Sequence, residues 1–422
     1  MIEIQPRNSI DATVAVPGSK SYTNRALTAA ALAGGRSILR NPLRSDDTLY
    51  MMRALNELGL PATDGPAGEM RVQGGGGSIP AAAAELFVGN AGTAMRFLTA
   101  MLALGNGRYV IDGSERMRER PIQDLLDGLS QLGASVRSAR GNGCPPVLIE
   151  AGGLRGGRVS IPGDKSSQFF SAILLAAPYA RTDVELVAEG PLVSKPYVDM
   201  TLGLMREFGA DAVREGPTMR VRAGRPYQPR DYTIECDASS ASYFFAAAAV
   251  TGGRVSVPGL SRASAQGDVR FVDALVQMGC QVHDGQTDSG VPFIEVRGGH
   301  LSGIDIDMGD ISDVAMSLAA VAVFAEGPTS IRNVRNMRLK ETDRIAALAA
   351  ELRRIGQDVD ELPDGLVIRP RPVRPATIRT YDDHRMAMSF SVIGLRAPGI
   401  VIENPSCVSK TFPDFFERLQ AL

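Results

Sequence analysis

Apolar residues fall along this chain in two alternating kinds of run. One kind is rich in alanine, apolar on nearly every side, and opens on a small polar cluster. It occurs six times: GSKSYTNRAL from Gly18, GNAGTAMRFL from Gly89, GDKSSQFFSAIL from Gly163, CDASSASYFFAAAA from Cys236, GDISDVAMSLAAVAV from Gly309 and YDDHRMAMSFSVIG from Tyr381. A helix that is apolar all round belongs inside a protein, so six buried helices with polar N-termini are predicted. The other kind is amphipathic. Ile122, Leu125, Leu126, Leu129 and Leu132 keep helical spacing, as do Ile345, Leu348, Leu352 and Ile355, which predicts helices with one apolar face. These runs end in a hydrophobic residue and then Gly59, Gly133, Gly209, Gly279 or Gly356. Glycine there fits a left-handed helix C-cap. A short β-prone stretch such as Ala134-Ser135-Val136 follows.

Both series are periodic. With Lys20, Asn90, Ser166, Ser239, Ser312 and Asp383 as anchors, the gaps are 70, 76, 73, 73 and 71 residues; the glycine series gives 74, 76, 70 and 77. Repeats of this length are supersecondary units that bury their apolar faces against each other. Six such units account for the chain, the sixth ending in a helix at Pro413–Leu422. Each reads as strand, buried helix, strands, amphipathic helix, strand. The expected class is α/β with pseudo-symmetry, and 422 residues exceed what one core ordinarily serves, so two domains of three units are expected.

Composition narrows the function. Charged residues make up 22%, apolar types 44%, and the net charge is −2, which is globular rather than disordered. Near-neutral charge argues against nucleic acid as the main partner. No apolar run approaches the roughly 20 residues of a membrane span, and Met1–Ile10 lacks a signal-peptide core. Cys144, Cys236, Cys280 and Cys407 form no CxxC pair, and His283, His300 and His384 form no HExxH motif, so no metal site is expected. Free thiols fit a cytoplasmic protein. Gly18-Ser19-Lys20-Ser21 lacks the earlier glycine of a phosphate-binding loop, and Gly74–Gly77 matches no dinucleotide fingerprint, so neither ATP nor NAD is expected.

Cations sit in unusual places. Lys20, Arg25, Arg96, Lys165, Arg344 and Arg385 lie at helix starts or first turns, and Arg120 and Lys195 lie just ahead of helices. The helix dipole disfavours cations there. Any one polar cluster is accounted for by N-capping. Six in register, several with a cation, point instead to a ligand carrying more than one anionic group. NMRLKETDR, Asn336–Arg344, gathers acid, base and cation ahead of a helix expected to start near Thr342 with a capping arrangement. Glu341 also reads as a solvated first-turn acid, Asp313 as an N-terminal helix acid, and His384 as a structural histidine.

VPGSKSYTNRAL, GNAGTAMRFL, RERPIQDLLDGL, SSQF, SKPYVDMTL, DASSASYF, SDVAM, NMRLKETDR, YDDHRMAM and SKTFPDFF, in this order from Val16 to Phe416, strongly resemble the 5-enolpyruvylshikimate-3-phosphate (EPSP) synthase family. The resemblance implies a two-domain inside-out α/β barrel-like fold of six βαβαββ repeats. It assigns residues 1–19 and 238–422 to one domain and 20–237 to the other, with the site in the cleft between them. It implies transfer of enolpyruvyl from phosphoenolpyruvate to the 5-hydroxyl of shikimate 3-phosphate with release of phosphate, by a monomer with no cofactor. Shikimate 3-phosphate would be held by Lys20, Ser21, Arg25, Ser166, Ser167, Gln168, Ser194, Tyr197, Asp313, Asn336 and Lys340. Phosphoenolpyruvate would be held by Lys20, Asn90, Gly92, Arg120, Gln168, Arg344, Arg385 and Lys410.

By the same resemblance Asp313 is the base that takes the hydroxyl proton and Glu341 the acid that protonates C3, giving a tetrahedral intermediate. Lys20 steadies the transferring charge and the leaving phosphate. A carboxylic acid donor near neutral pH needs a raised pKa; burial would supply it, opposed by Lys340 and Arg344. Two positions depart from the family pattern. Phe97 replaces a common proline, and Asp164-Lys165 precedes SSQ. Gly92 is kept, which implies sensitivity to glyphosate unless Phe97 alters the pocket. Two rivals are weighed. The sister enzyme acting on UDP-N-acetylglucosamine carries a cysteine in the segment that is here Arg116–Pro121, and none is present. A non-catalytic anion-binding repeat protein need not keep both Asp313 and Glu341.

Overall fold

The computed structural model describes the whole chain, Met1–Leu422. The chain forms two compact units, one of Gly18–Glu235 and one of Met1–Pro17 with Cys236–Leu422. The first holds α1 (Lys20–Leu32), α2 (Asp46–Glu57), α3 (Gly92–Leu102), α4 (Gln123–Gln131), α5 (Ser167–Ala176) and α6 (Lys195–Glu207). The second holds α7 (Ala238–Thr251), α8 (Phe271–Gln277), α9 (Ala315–Ala322), α10 (Arg344–Arg354), α11 (His384–Gly394) and α12 (Phe415–Gln420).

Odd-numbered helices are the buried ones. Every residue of α3, α9 and α11 is buried, and α1 is buried from Tyr22 onward. Small alanines let α3 and α5 lie inside the first unit and α7, α9 and α11 inside the second, each within its own apolar core. Even-numbered helices bury one face: α4 covers Leu125, Leu126 and Leu129 and leaves the opposite side to solvent. The glycines that follow the amphipathic helices have φ between 79° and 108°, the left-handed region that lacks a steric penalty only for glycine.

The repeat is clearest around α3. Strand Ala83–Phe87 pairs in parallel with Asn106–Asp112 on the far side of α3; α4 follows, and a hairpin of Ser135–Ser138 and Val147–Gly152 completes a sheet in the order first, second, fourth, third. Five sheets have this four-stranded order and the sixth has three strands. The hydrophobic pattern placed the extra strand between the two helices; it lies after the second one. The reason is local: the left-handed glycine turns the chain back antiparallel onto the sheet, and the hairpin registers there, as in Ala62–Asp64 against Met70–Gly75.

Strand exchange within each unit explains its boundaries. The last strand of the first unit, Asp231–Thr233, pairs in parallel with Gly34–Arg40 and supplies the missing edge of that unit's first sheet. Arg40 grips Asp231 through two hydrogen bonds of 2.7 and 2.6 Å. In the second unit Asp11–Thr13 does the same for Arg254–Pro258, and Ile2–Glu3 pairs antiparallel with Ile400–Ile402. The N-terminal segment is thus built into the sheets of the C-terminal half. No helix is long and apolar enough to cross a membrane.

Two helix ends differ from expectation. α10 begins at Arg344, not near Thr342. Asp343 is its N-cap and accepts the Ala346 N–H at 3.0 Å, because a carboxylate fits the cap and the dipole better than a β-branched threonine. The last helix starts at Phe415, two residues past Pro413.

Candidate functional site

In the Gly18–Glu235 unit the candidate residues cluster at the N-termini of α1, α3, α5 and α6. Ser19 caps α1 by accepting the Tyr22 N–H. Lys20 then begins the helix, and its ammonium lies 3.5 Å from the buried Asp47 carboxylate of α2. Ser166 caps α5 and accepts the Gln168 N–H at 3.2 Å, with Ser167 buried at the first helical position. Ser194 precedes α6 at φ 52°, a left-handed conformation costly for a residue with a Cβ and tolerated where the surroundings fix it.

Arg25 joins three of these helices. Its Nε donates to Thr201 Oγ1 at 2.7 Å, and its two Nη atoms donate to Ser21 O at 2.9 Å and to Ser171 Oγ and Tyr197 O, both at 3.1 Å. Its guanidinium carbon lies 5.3 Å from the Phe97 ring centre and 5.8 Å from that of Tyr197. Burial pushes its pKa down to about 10, which leaves it charged at neutral pH. Arg25 therefore presents its charge from inside the unit, with four donors committed to neutral acceptors. Phe97, the departure from the family pattern, is fully buried and forms one wall of this arginine's seat.

A second centre lies over Gly92. Arg96 donates to Gly92 O at 3.1 Å and Pro121 O at 3.0 Å. Arg120 donates to Asn90 O at 3.1 Å and Asn90 Oδ1 at 2.9 Å. Both arginines are buried to about 4% exposure. A Cβ at residue 92 would lie 2.6 Å from Arg120 Nη2 and 2.8 Å from Arg96 Nη1. Glycine leaves room for two guanidinium groups to close over the start of α3, where backbone N–H groups and the dipole add to their pull on an anion; a Cβ would push both aside.

In the other unit an acid and base network surrounds α10 and α11. Asp313 lies in the 3-10 turn Ser312–Val314 that leads into α9. Its Oδ2 accepts from Arg385 Nη2 at 3.1 Å, and its Oδ1 lies 3.5 Å from Lys340 Nζ and 3.6 Å from Arg344 Nη1. Glu341 accepts from Arg344 Nη2 at 2.8 Å and lies 3.8 Å from Lys410 Nζ. Asn336 donates to Ser312 Oγ at 3.1 Å. Four cations thus meet Asp313 and Glu341. The expected opposition to Glu341 from Lys340 is replaced: Lys340 faces Asp313, and Lys410 joins Arg344 at Glu341.

Arg344 is the hub of this unit. Besides Glu341 it donates to both oxygens of Asp383, at 2.7 and 3.1 Å. Burial works to lower its pKa, but the Asp383 and Glu341 carboxylates outweigh burial and raise it. Asp383 is fully buried, caps α11 and accepts the Arg385 N–H at 2.9 Å. Arg385 also reaches Tyr243 OH and Ser239 Oγ, both at 3.2 Å. Burial pushes the Tyr243 phenol up to about 12, against the lowering effect of Arg385. Asp383, Tyr243, Ser239 and, in the other unit, Asp47 were not among the expected site residues. Asp383 and Ser239 did stand out as anchors of the sequence period; Asp47 and Tyr243 lie inside helices and carry no such signal.

Paired carboxylates held by buried guanidiniums, with further cations at helix starts, define a class: enzymes that grip multiply anionic substrates and move protons on them. The sequence profile described as EPSP synthase (3-phosphoshikimate 1-carboxyvinyltransferase) matches residues 4–419. The chain is 51% identical to the 3-phosphoshikimate 1-carboxyvinyltransferase of Nostoc punctiforme, over 99% of this chain and 98% of that one. It is 47% identical to that of Shewanella piezotolerans, over 100% and 99%. A solved EPSP synthase from Acinetobacter baumannii superposes with a TM-score of 0.83 at 28% identity, covering 99% of this chain and 97% of that one. The enolpyruvyl transferase NikO from Streptomyces tendae shares the fold, with a TM-score of 0.78 at 20% identity over 100% and 96%. The chain belongs to the EPSP synthase family.

Proposed function

We propose that this protein transfers the enolpyruvyl group of phosphoenolpyruvate to the 5-hydroxyl of shikimate 3-phosphate and releases phosphate. Lys20, Ser21, Arg25, Ser166, Ser167, Gln168, Ser194, Tyr197, Asn336 and Lys340 serve shikimate 3-phosphate, and Arg25 does so through the charge it holds beneath Ser21 and Tyr197. Lys20, Asn90, Gly92, Arg120, Gln168, Arg344, Arg385 and Lys410 serve phosphoenolpyruvate. The four thiols, none joined in a disulfide, suit a reducing cytoplasm.

The chemistry follows the proton inventory. Asp313 takes the proton of the attacking 5-hydroxyl as oxygen bonds to C2 of phosphoenolpyruvate, and Glu341 gives a proton to C3. The tetrahedral ketal phosphate then collapses: Glu341 takes a C3 proton back, the C–O bond to phosphate breaks, the proton that Asp313 took passes to the leaving phosphate, and Lys20 stabilises the departing dianion. For Glu341 to donate, Arg344 and Lys410 must turn their charge onto the substrate's anionic groups and release the carboxylate from its ion pair. Substrate binding thereby arms the acid.

The observation that carries this reading is Asp313 within 3.6 Å of Lys340, Arg344 and Arg385, one carboxylate among three cations. The three cations hold this carboxylate in place, and a carboxylate so held can accept the hydroxyl proton. The test is phosphate release by purified protein with phosphoenolpyruvate and each of two acceptors. Release with shikimate 3-phosphate and none with UDP-N-acetylglucosamine is expected. The reverse pattern would move the protein to the sister reaction, and release with neither acceptor would refute the enzymatic reading.

A further inference from the structure

A short pattern recurs that the assigned roles do not absorb. Met117-Arg118-Glu119-Arg120 and Met337-Arg338-Leu339-Lys340 stand 220 residues apart, three periods of the repeat. Each is a buried methionine, an arginine, a variable residue and a cation assigned to a substrate. Both fall in 3-10 turns, Met117–Glu119 and Arg335–Leu339. Met117 is 0% exposed and Met337 1%.

The middle arginine is clamped in both copies. Arg118 forks onto Asp112 at the end of its strand, Nε to Oδ1 at 2.9 Å and Nη2 to Oδ2 at 2.5 Å. Arg338 places Nη1 against both oxygens of Asp343 at 3.1 and 2.8 Å and against Glu361 Oε1 at 3.0 Å. Its Nε and Nη2 donate to Pro363 O at 3.1 Å and Leu362 O at 2.7 Å. The anchors differ in origin. One lies six residues back; the others are the cap of α10 and the end of the strand Asp358–Leu362 with the Pro363 carbonyl beyond it. The result is similar: the turn is pegged by methionine on one side and tied to carboxylate on the other, through a two-nitrogen fork at Arg118 and through one nitrogen of Arg338 whose other nitrogens bind carbonyls.

A guanidinium–carboxylate fork fixes orientation as well as distance. The cation two positions on is the first residue past each turn, and its extended backbone directs the side chain away from the clamp. Arg120 accordingly lies over Gly92 and Asn90, and Lys340 faces Asp313.

We propose that Arg118 and Arg338 are equivalent positioning residues, each locking a methionine-pegged turn so that the cation two residues on is held for its own substrate. The inference rests on assigning Arg120 to phosphoenolpyruvate and Lys340 to shikimate 3-phosphate, and it goes beyond that assignment by giving each cation a dedicated clamp. Neither clamp arginine is given contact with substrate.

The test is a KM split. Arg118→Lys keeps the charge and loses the fork. It should raise the KM for phosphoenolpyruvate about tenfold and leave that for shikimate 3-phosphate within about twofold. Arg338→Lys should raise the KM for shikimate 3-phosphate about tenfold and also lower kcat, because Glu341 follows Lys340 in the same loop. Asp112→Asn added to Arg118→Lys should cost little more, since both remove one fork. Asp343→Ser keeps a helix cap and should shift the same KM as Arg338→Lys, by less, because Glu361 and two carbonyls remain. Parallel changes in both KM values, or a lower melting temperature with neither KM moved, would overturn the proposal. Arg120→Met separates the two levels. If it raises the phosphoenolpyruvate KM while Arg118→Lys does not, the clamp is refuted and the assignment stands. If it leaves that KM unchanged, the assignment fails and the clamp with it.

Discussion

Apart from the two clamp arginines, Arg118 and Arg338, the two units hold the arginines of their candidate sites in contrasting ways. In the Gly18–Glu235 unit Arg25, Arg96 and Arg120 donate to backbone carbonyls, hydroxyls and an amide oxygen. In the other unit Arg344 and Arg385 donate to Asp383, Glu341 and Asp313. Neutral acceptors orient a guanidinium without cancelling its charge, so that unit is built to hold anions. Carboxylates cancel much of the charge but bring groups that can take and give protons, so the second unit is built for chemistry. Among the cations of the first unit assigned to a substrate, Lys20 lies beside a carboxylate, that of Asp47, and it is assigned to both substrates.

Substitutions can break this contrast. The largest effect is expected at Glu341. Glu341→Gln keeps its shape and removes the proton; kcat should fall about a thousandfold with both KM values little changed. A fall of only a few-fold in steady-state turnover would move the donor elsewhere.

Asp383→Ala should be the most damaging to stability. It strips the α11 cap and leaves the buried Arg344 without a carboxylate that touches it twice. Removing one partner of a buried pair costs about 3–5 kcal/mol, readable as a lower urea midpoint. A change below about 1 kcal/mol would mean that Glu341 alone can hold Arg344.

Gly92→Ala probes the first unit. The new Cβ would press on Arg120 and Arg96, so the phosphoenolpyruvate KM should rise roughly tenfold with little loss of melting temperature. An unchanged KM would show that the two guanidiniums can step back without cost.

The smallest effect concerns acid. Hydrogen bonding to Arg118 is the main cause that lowers the Asp112 pKa below the usual aspartate range. A carboxylate whose folded pKa is depressed contributes stability above its unfolded pKa and loses it as pH falls through the folded one. Asp112→Asn should therefore lower the melting temperature slightly at neutral pH and converge on the parent at low pH, which flattens the acid limb of the profile. A profile parallel to the parent's at every pH would discount the Arg118 pair.

Much of this was legible in the sequence. The period, the buried helices and the glycine caps follow from composition and spacing, because burial of an alanine-rich helix is a local property. Arg344 was legible as a cation placed where a helix dipole does not want it, whereas Asp313, Glu341 and Lys340 stood out through the motifs shared with the family. What was not legible depends on distant partners. Arg25 finds Thr201 and Ser171 across 176 and 146 residues, so its role in tying α1 to α5 and α6 has no local signature. Asp383 sits in a run that reads as a cap; its grip on Arg344, 39 residues away, exists only once α10 and α11 pack. The strand order read from the hydrophobic pattern failed for a local reason instead, since short hairpin strands such as Ala62–Asp64 carry too few residues for a clear alternation; the βαβαββ order that the family resemblance implied is the one observed.

The most direct test of this division of labour measures two quantities on one preparation of Asp313→Asn: equilibrium binding of shikimate 3-phosphate by calorimetry, and phosphate release with both substrates. The account predicts binding within about tenfold of the parent and turnover lower by about a thousandfold. Binding and turnover lost together would mean that the carboxylate unit does the holding, and turnover retained would mean that Asp313 is not the base.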